Sequence, residues 1–482
     1  MNSQQNSEKL LKNQSSSIAS AESFDSKDLN SGKEDFMHAY QHPKVRQKPE
    51  VLAPAGNLDT LKTAIKFGAD AVYCGGKEFG MRSAPKNFSL EDFAQAVDFA
   101  HGRGARVFVT CNILPKSTEV QEMNAYMGAL GEIGVDALIV SDIGVLMAAR
   151  EVAPNTEIHI STQAGITNYQ AANAFASLGA SRVVLARELD LAAIRHIRAN
   201  VPADLEIEAF VHGSMCMAFS GRCLISQHVT GRDANHGDCA QSCRWKYHVV
   251  EEKRPNEFIP VEITDGGTFL FNSHDMNLLP HVAEILDAGI TSLKIEGRAK
   301  SSYYVAAMAN AYKFAVNEYM QQRGFEDAQG NELKPFTHRV DAAGELMSDV
   351  VPEVSYPHWL LEEPYKVTHR EYSTGFYYPE NPAGENIISG AYINDWRWVG
   401  TVKRFDPQQQ RIYLMAKNKI TPGMELEFLF PNHEPVKYIV PETGLADEKG
   451  HAMAEINHPA KEFSLPGEVW LPEGAIIRTR MR

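Results

Sequence analysis

Four cysteines, Cys216, Cys223, Cys239 and Cys243, are gathered in one stretch of the 482-residue chain, separated by six, fifteen and three residues. Thiolates are soft ligands, and four of them suit either Zn²⁺ or an iron–sulfur cluster. A structural zinc site usually takes two ligands from one tight turn, roughly two to four residues apart. Only Cys239 and Cys243 meet that spacing, and the wider first pair accommodates a bulkier cluster, so spacing leaves the two metals nearly balanced. Four buried thiols are the plain alternative, since a free cysteine packs as a small hydrophobe. The surroundings argue against it: Gly221, Gly231, Asp233, Asn235, Gly237 and Asp238 make a poor core. Cys74 and Cys111, at or just after apolar runs, read equally well as packed thiols. Arg222, Arg232, Arg244 and Lys246 alternate here with Phe219, Trp245 and Tyr247. Basic groups contact phosphates and aromatic faces stack on unpaired bases, although a solvated loop has the same composition.

These residues need a frame, and the preceding sequence supplies one. Short β-branched runs centred on Leu52, Val72, Phe108, Ile139, His159, Val184, Ala209 and Lys294 alternate with segments of helical period such as 90–100 and 120–130. Ser89-Leu90-Glu91-Asp92 has the pattern of a capping box. Gly68, Gly134, Gly179 and Gly289 each precede a strand by a few residues, as expected of glycines that end helices in the left-handed conformation. Eight such units predict an α/β fold, a closed (β/α)8 TIM-like barrel over 46–325. A doubly wound sheet is the alternative, but no glycine-rich dinucleotide fingerprint follows the first strand.

About 65 residues separate the seventh strand from the next helix, far beyond an ordinary βα loop. This cysteine-rich insertion covers about 213–275, with hairpin material expected around 247–250 and 269–271. Residues 326–350 read as a linker. Residues 351–482, with runs such as Gly375–Tyr378 and Arg397–Val402 between Gly and Pro, predict a small antiparallel β-barrel domain. The first 45 residues are polar and nearly free of aromatics, as in a disordered tail. No apolar run is long enough to span a membrane, and the first residues lack a signal-peptide core. Cytoplasmic residence is therefore expected, and with it an absence of disulfides. A net charge of −14 excludes bulk electrostatic coating of nucleic acid but allows a local basic face.

In such a barrel the strand ends form the reaction face. They carry Asn57, Asn112, Ser141 with Asp142, Thr162 with Gln163, Arg187 with Glu188, His212, and Glu296 with Arg298. Arg187 and Arg298 can hold carboxylates bidentately, and His212 or Glu188 can move protons. His212, Arg298, Glu296 and Arg187 are the candidate catalytic set, the first two because they flank the insertion in fold order. No His-Glu-x-x-His, Gly-x-Ser-x-Gly or P-loop motif is present.

Several runs closely resemble the collagenase-like peptidase family of unassigned catalytic type. They are Glu50–Asn57, Val211–Cys216, Ser220–Cys223 and Leu293–Arg298. Thr230–Asn235 and Cys239–Tyr247 look like its tRNA-hydroxylating branch, and the match covers about 48–482. The resemblance implies oxygen-independent hydroxylation at C5 of the wobble uridine of tRNA, with prephenate as co-substrate. It also implies an iron–sulfur cluster, of the 4Fe–4S kind, on Cys216, Cys223, Cys239 and Cys243. It is the resemblance, not the spacing, that moves the weight from zinc to iron–sulfur. The implied macromolecular partner is the tRNA anticodon loop, whose unpaired base costs little to insert into a pocket. An electron donor is not identifiable from the sequence. A collagenase-like peptidase and a non-catalytic, zinc-containing RNA-binding protein are the alternatives.

Overall fold

The computed structural model describes residues 48–80, 87–216, 218–245, 249–250, 258–259, 273–380, 392–459, 461–467 and 469–481. The expected tail, Lys246, Tyr247 and the run 269–271 lie outside them.

Strands and helices alternate as the sequence predicts. They are β1 (Glu50–Ala55), α1 (Leu58–Lys66), β2 (Ala71–Gly75), α2 (Leu90–His101), β3 (Arg106–Cys111), α3 (Val120–Ile133) and β4 (Ala137–Val140). Then follow α4 (Ile143–Val152), β5 (Glu157–Ile160), α5 (Tyr169–Ser177), β6 (Arg182–Val184), α6 (Leu191–Ala199) and β7 (Glu206–Ser214). The insertion contains α7 (Ile225–Thr230) and an antiparallel pair, β8 (Val249–Val250) with β9 (Phe258–Ile259). After it come β10 (Asp275–Asn277), α8 (Val282–Asp287), β11 (Ser292–Ile295) and α9 (Ser302–Gln322). β11 is parallel to both β1 and β7, so β1–β7 and β11 close an eight-stranded parallel barrel.

Local chemistry explains the rhythm. Ser89 and Asp92 form the reciprocal capping box that starts α2. Gly134 ends α3 at φ 85°, a conformation that side chains resist, and its N–H bonds back to Leu130 and Gly131. Ser301 caps α9, whose apolar residues close the outer layer over the barrel.

Inside the barrel, a small apolar layer includes Leu52, Tyr73, Phe108 and Ile139. Towards the amino ends of the strands lies a charged network centred on Arg182, which is fully buried. Its guanidinium donates to Glu206 (2.7 Å), Glu50 (2.7 Å) and Glu208 (2.8 Å). Burial opposes the arginine's charge, but the three carboxylates more than offset this and push its pKa up.

β7 outruns the barrel. It also pairs antiparallel with β10, so the insertion leaves at Ser214 and returns opposite it at Asp275. Both ends of the long loop are thus fixed to one ladder.

Beyond α9 the chain forms α10 (His358–Glu362) and β12 (Tyr372–Ser373), which pairs with β10. Leu360, Val367 and Tyr377 pack into the barrel's core. The Gly375–Tyr378 run, expected as strand, is a turn with Gly375 at φ 63°, and the Tyr377 hydroxyl donates to the Phe210 carbonyl (2.8 Å). Tyr377 is there to fill the barrel's flank, which is why its β propensity misleads.

A separate antiparallel sheet then follows: β13 (Trp396–Asp406), β14 (Arg411–Ala416), β15 (Glu425–Leu429), β16 (Val436–Ile439), β17 (Ala446–Asp447), β18 (Glu462–Pro466) and β19 (Ile476–Arg480). It has its own core, including Val402, Leu414, Phe428 and Ile477. Buried Arg478 joins it to the segment before β12, donating to Glu427 (2.9 Å) and Glu363 (2.7 Å). Among the described residues no helix is long and apolar enough to cross a membrane.

Candidate metal centre

A cavity of about 170 Å³ opens at the carboxyl ends of the barrel strands, and all four clustered cysteines line it. The insertion positions them with short turns. After Cys216 comes a 3-10 turn, Phe219–Gly221, whose Ser220 sits at φ 47°. That turn is held by Glu188, which accepts from the Ser220 N–H (2.7 Å) and hydroxyl (2.9 Å). The Cys223 N–H donates to Asn235 Oδ1 (3.3 Å), and Asn235 Nδ2 returns to the Cys223 carbonyl (3.1 Å). The Ser226 hydroxyl accepts from the Ala240 N–H (3.0 Å), fixing the chain beside Cys239. Cys243 lies in a second 3-10 turn, Ser242–Arg244, entered through Gln241 at φ 54°. Arg244 ties this turn back to the Met215 carbonyl (3.1 Å).

The four sulfurs act on one another. Cys216 senses the charge of Cys223 and Cys239, and Cys243 senses those of Cys216, Cys239 and Cys223. Burial raises the Cys216 thiol, against the pull of Arg187, and burial raises Cys243 to about 11. Four cysteines lining one cavity are a donor set that suits a polynuclear or a single soft metal centre. Cys74 and Cys111 differ: both are fully buried in the core, where desolvation pushes each thiol to about 12. They are packed thiols.

Three of the four candidate catalytic residues meet the cysteines in this cavity. Arg187, Glu296 and Arg298 line it, and His212 does not. Arg187 lies over the Phe210 ring (3.8 Å), donates to the Ser214 carbonyl (3.2 Å) and approaches Glu296 at 3.8 Å. Its buried Nε has no hydrogen-bond partner among the described residues. Arg298 donates to the Thr110 hydroxyl (3.0 Å) by crossing Gly75, where a Cβ would stand 2.1 Å from the guanidinium. Opposite, Asn112 donates to Gln163 Oε1 (2.9 Å), and Arg222 donates to the Gln163 carbonyl (2.6 Å). Asn57 and Asp142, read as possible site residues, cap α1 and α4 instead.

His212 lies outside the barrel wall. The register slips between Lys294 and Ile295 against β7, and His212 pairs with Asn277 of β10. Inside–outside alternation therefore fails at this position. The imidazole is buried among Tyr304, Tyr312 and Tyr372, and desolvation with the nearby charges of Lys300 and His369 lowers its pKa to about 3.

Sequence reasoning passed over Lys294 and Tyr73, both on the cavity wall. The available signal was a charged residue at an inward position of a barrel strand. Among the described residues, the group whose ligand atoms lie within 4.8 Å of one another is Glu157, His159 and Glu206, towards the amino ends of the strands. Arg106 and Arg182 bind its carboxylates, so it belongs to the charged network there.

Models of known families match nearly the whole described chain. "Peptidase family U32" matches residues 56–386, and "Peptidase family U32 C-terminal domain" matches 394–478. Among similar proteins, "tRNA hydroxylation protein P1" of Bacillus subtilis is 35% identical, over 88% of this chain and 94% of its own length. "23S rRNA 5-hydroxycytidine C2501 synthase" of Escherichia coli is 38% identical, over 57% of this chain and 40% of its own. "Collagenase" of Porphyromonas gingivalis is 33% identical, over 58% of this chain and 68% of its own.

Proposed function

Because the chain belongs to peptidase family U32, we propose that it is an RNA-hydroxylating enzyme acting on the wobble uridine of tRNA. The reaction is hydroxylation at C5, independent of oxygen, with prephenate as co-substrate. The observation that carries this reading is the meeting of four cysteines with Arg187, Glu296 and Arg298 around one cavity, in a chain whose relatives are named for tRNA and rRNA hydroxylation.

Cys216, Cys223, Cys239 and Cys243 hold an iron–sulfur cluster of the 4Fe–4S kind, which supplies electron transfer or a Lewis-acidic iron when bound. Arg187 and Arg298 orient the carboxylates of prephenate, for which planar guanidinium forks are suited. The unpartnered Arg187 Nε supports that role. Glu296 is the carboxylate on the cavity wall and the candidate for moving a proton. An anticodon-loop base enters past the insertion, where Phe219 and Trp245 are exposed and can stack on unpaired neighbours.

The test is mass spectrometry of tRNA nucleosides from a deletion strain complemented with wild type or Cys239→Ala. Wild type restores 5-hydroxyuridine and its derivatives, and the variant does not. A deletion strain with an unchanged nucleoside profile would sink the proposal, and restoration by the variant would remove the cluster from it.

A further inference from the structure

Besides Arg187, Glu296 and Arg298, one more charged residue lines the cavity. Lys294 is buried on β11, in register with Leu52 and Phe210. Its ammonium donates to Glu208 (2.6 Å) and stands over the rings of Tyr73 (4.5 Å) and Phe210 (5.3 Å). Glu208 is fully buried; desolvation alone would raise its pKa, but Lys294 and Arg182 outweigh that and lower it. Lys294 is therefore tethered by an ion pair with Glu208 at 2.6 Å. An ammonium has three donors. Among the described residues one hydrogen bond of Lys294 is seen, to Glu208, while the same side chain lines the cavity.

We propose that Lys294 is a specificity-determining residue: it binds the second carboxylate of a dianionic co-substrate, with Glu208 and Arg182 as positioning residues that fix the ammonium. This rests on the reading above, in which a dicarboxylate enters the cavity. Arg187 and Arg298 take one carboxylate, and Lys294 takes the other. A monocarboxylate of similar size then loses the Lys294 contact and binds through the two arginines alone.

The experiment is calorimetric titration of anaerobically purified full-length protein, carrying its metal centre, with prephenate and with the monocarboxylate phenylpyruvate. Lys294→Met is expected to weaken prephenate binding roughly tenfold to a hundredfold, the range of a lost charge-assisted hydrogen bond. Phenylpyruvate binding stays as in wild type, and Lys294→Arg recovers part of the preference. Glu208→Gln, which keeps the side chain's volume, is expected to lower the same preference less. Iron content and the visible spectrum of each variant report an intact centre. Equal prephenate affinity in wild type and Lys294→Met would overturn the assignment while leaving the proposed function standing. Borohydride trapping of a covalent Lys294 adduct would overturn it too. Failure of wild type to bind either acid would overturn both readings together.

Discussion

The two ends of the barrel hold similar residue types and use them oppositely. At the amino end, Arg182, Glu50, Glu206 and Glu208 are buried and pair within the protein, with Arg106 and Lys294 as further cations. At the mouth, the cysteines and Arg187 face a cavity from short turns, and two of the turn residues, Ser220 and Gln241, carry positive φ. A charged group whose partners all come from the protein is structural. One that lines a cavity and keeps a donor without a partner among the described residues, such as Arg187, is a candidate for binding a ligand. The contrast teaches that partners, not polarity, separate fold from function here.

The largest expected effect breaks the mouth alone. Cys239→Ala should abolish iron binding and 5-hydroxyuridine formation. Its urea midpoint should equal that of wild-type protein stripped of metal by a chelator, because Cys239 is exposed and adds nothing to the core. A variant midpoint well below the stripped wild type would mean that the turn itself supports the barrel.

Arg182→Met makes the converse cut. Removing the central cation takes one ion-pair partner from each of three buried carboxylates, and breaking a buried ion pair costs about 3–5 kcal/mol. Urea unfolding should show that loss, while the folded fraction keeps its iron. Unchanged stability would dissolve the distinction between the two ends.

The barrel was legible because its signals are local. Each apolar run became a strand, and the capping box at Ser89 formed. The cysteines were legible as a set by spacing and by their polar neighbours, and they do meet at one cavity. What sequence could not carry was direction. His212 sits at a strand end by count, yet β7 forks to pair with β10 and turns the imidazole away. Lys294 stood in a strand run without a site role, because its partner Glu208 is 86 positions away. Tyr377 has strand chemistry but a packing role, which no local pattern reveals.

A smaller effect sharpens the mouth's role with RNA. Trp245 is 45% exposed, so Trp245→Ala should change unfolding free energy by less than about 0.5 kcal/mol. Base–aromatic stacking is worth about 1–3 kcal/mol, so tRNA affinity should fall while iron content holds. Filter binding of tRNA to the holoprotein measures it, and undiminished affinity would place the RNA elsewhere.

His212 tests the comparison from between the two ends: mouth by sequence position, core by environment. Its pKa falls from 6.5 in the unfolded chain to about 3 in the fold, because burial, Lys300 and His369 all disfavour the imidazolium, against a hydrogen bond with Asn277. Between those values the unfolded chain binds the extra proton, so stability rises with pH. The contribution is fully present above 6.5 and is lost as pH falls from 6.5 towards 3, by at most about 1.4 kcal/mol per pH unit. His212→Gln, which retains a polar group beside Tyr312 and Tyr372, should remove that slope. Urea unfolding of metal-stripped wild type and variant at about pH 7, 6 and 5 measures the difference between their slopes. The pH profile of hydroxylation should keep its shape in the variant, because a neutral, walled-off imidazole exchanges no proton with the cavity. Parallel stability slopes in the two proteins, or a displaced activity profile in the variant, would return His212 to the mouth.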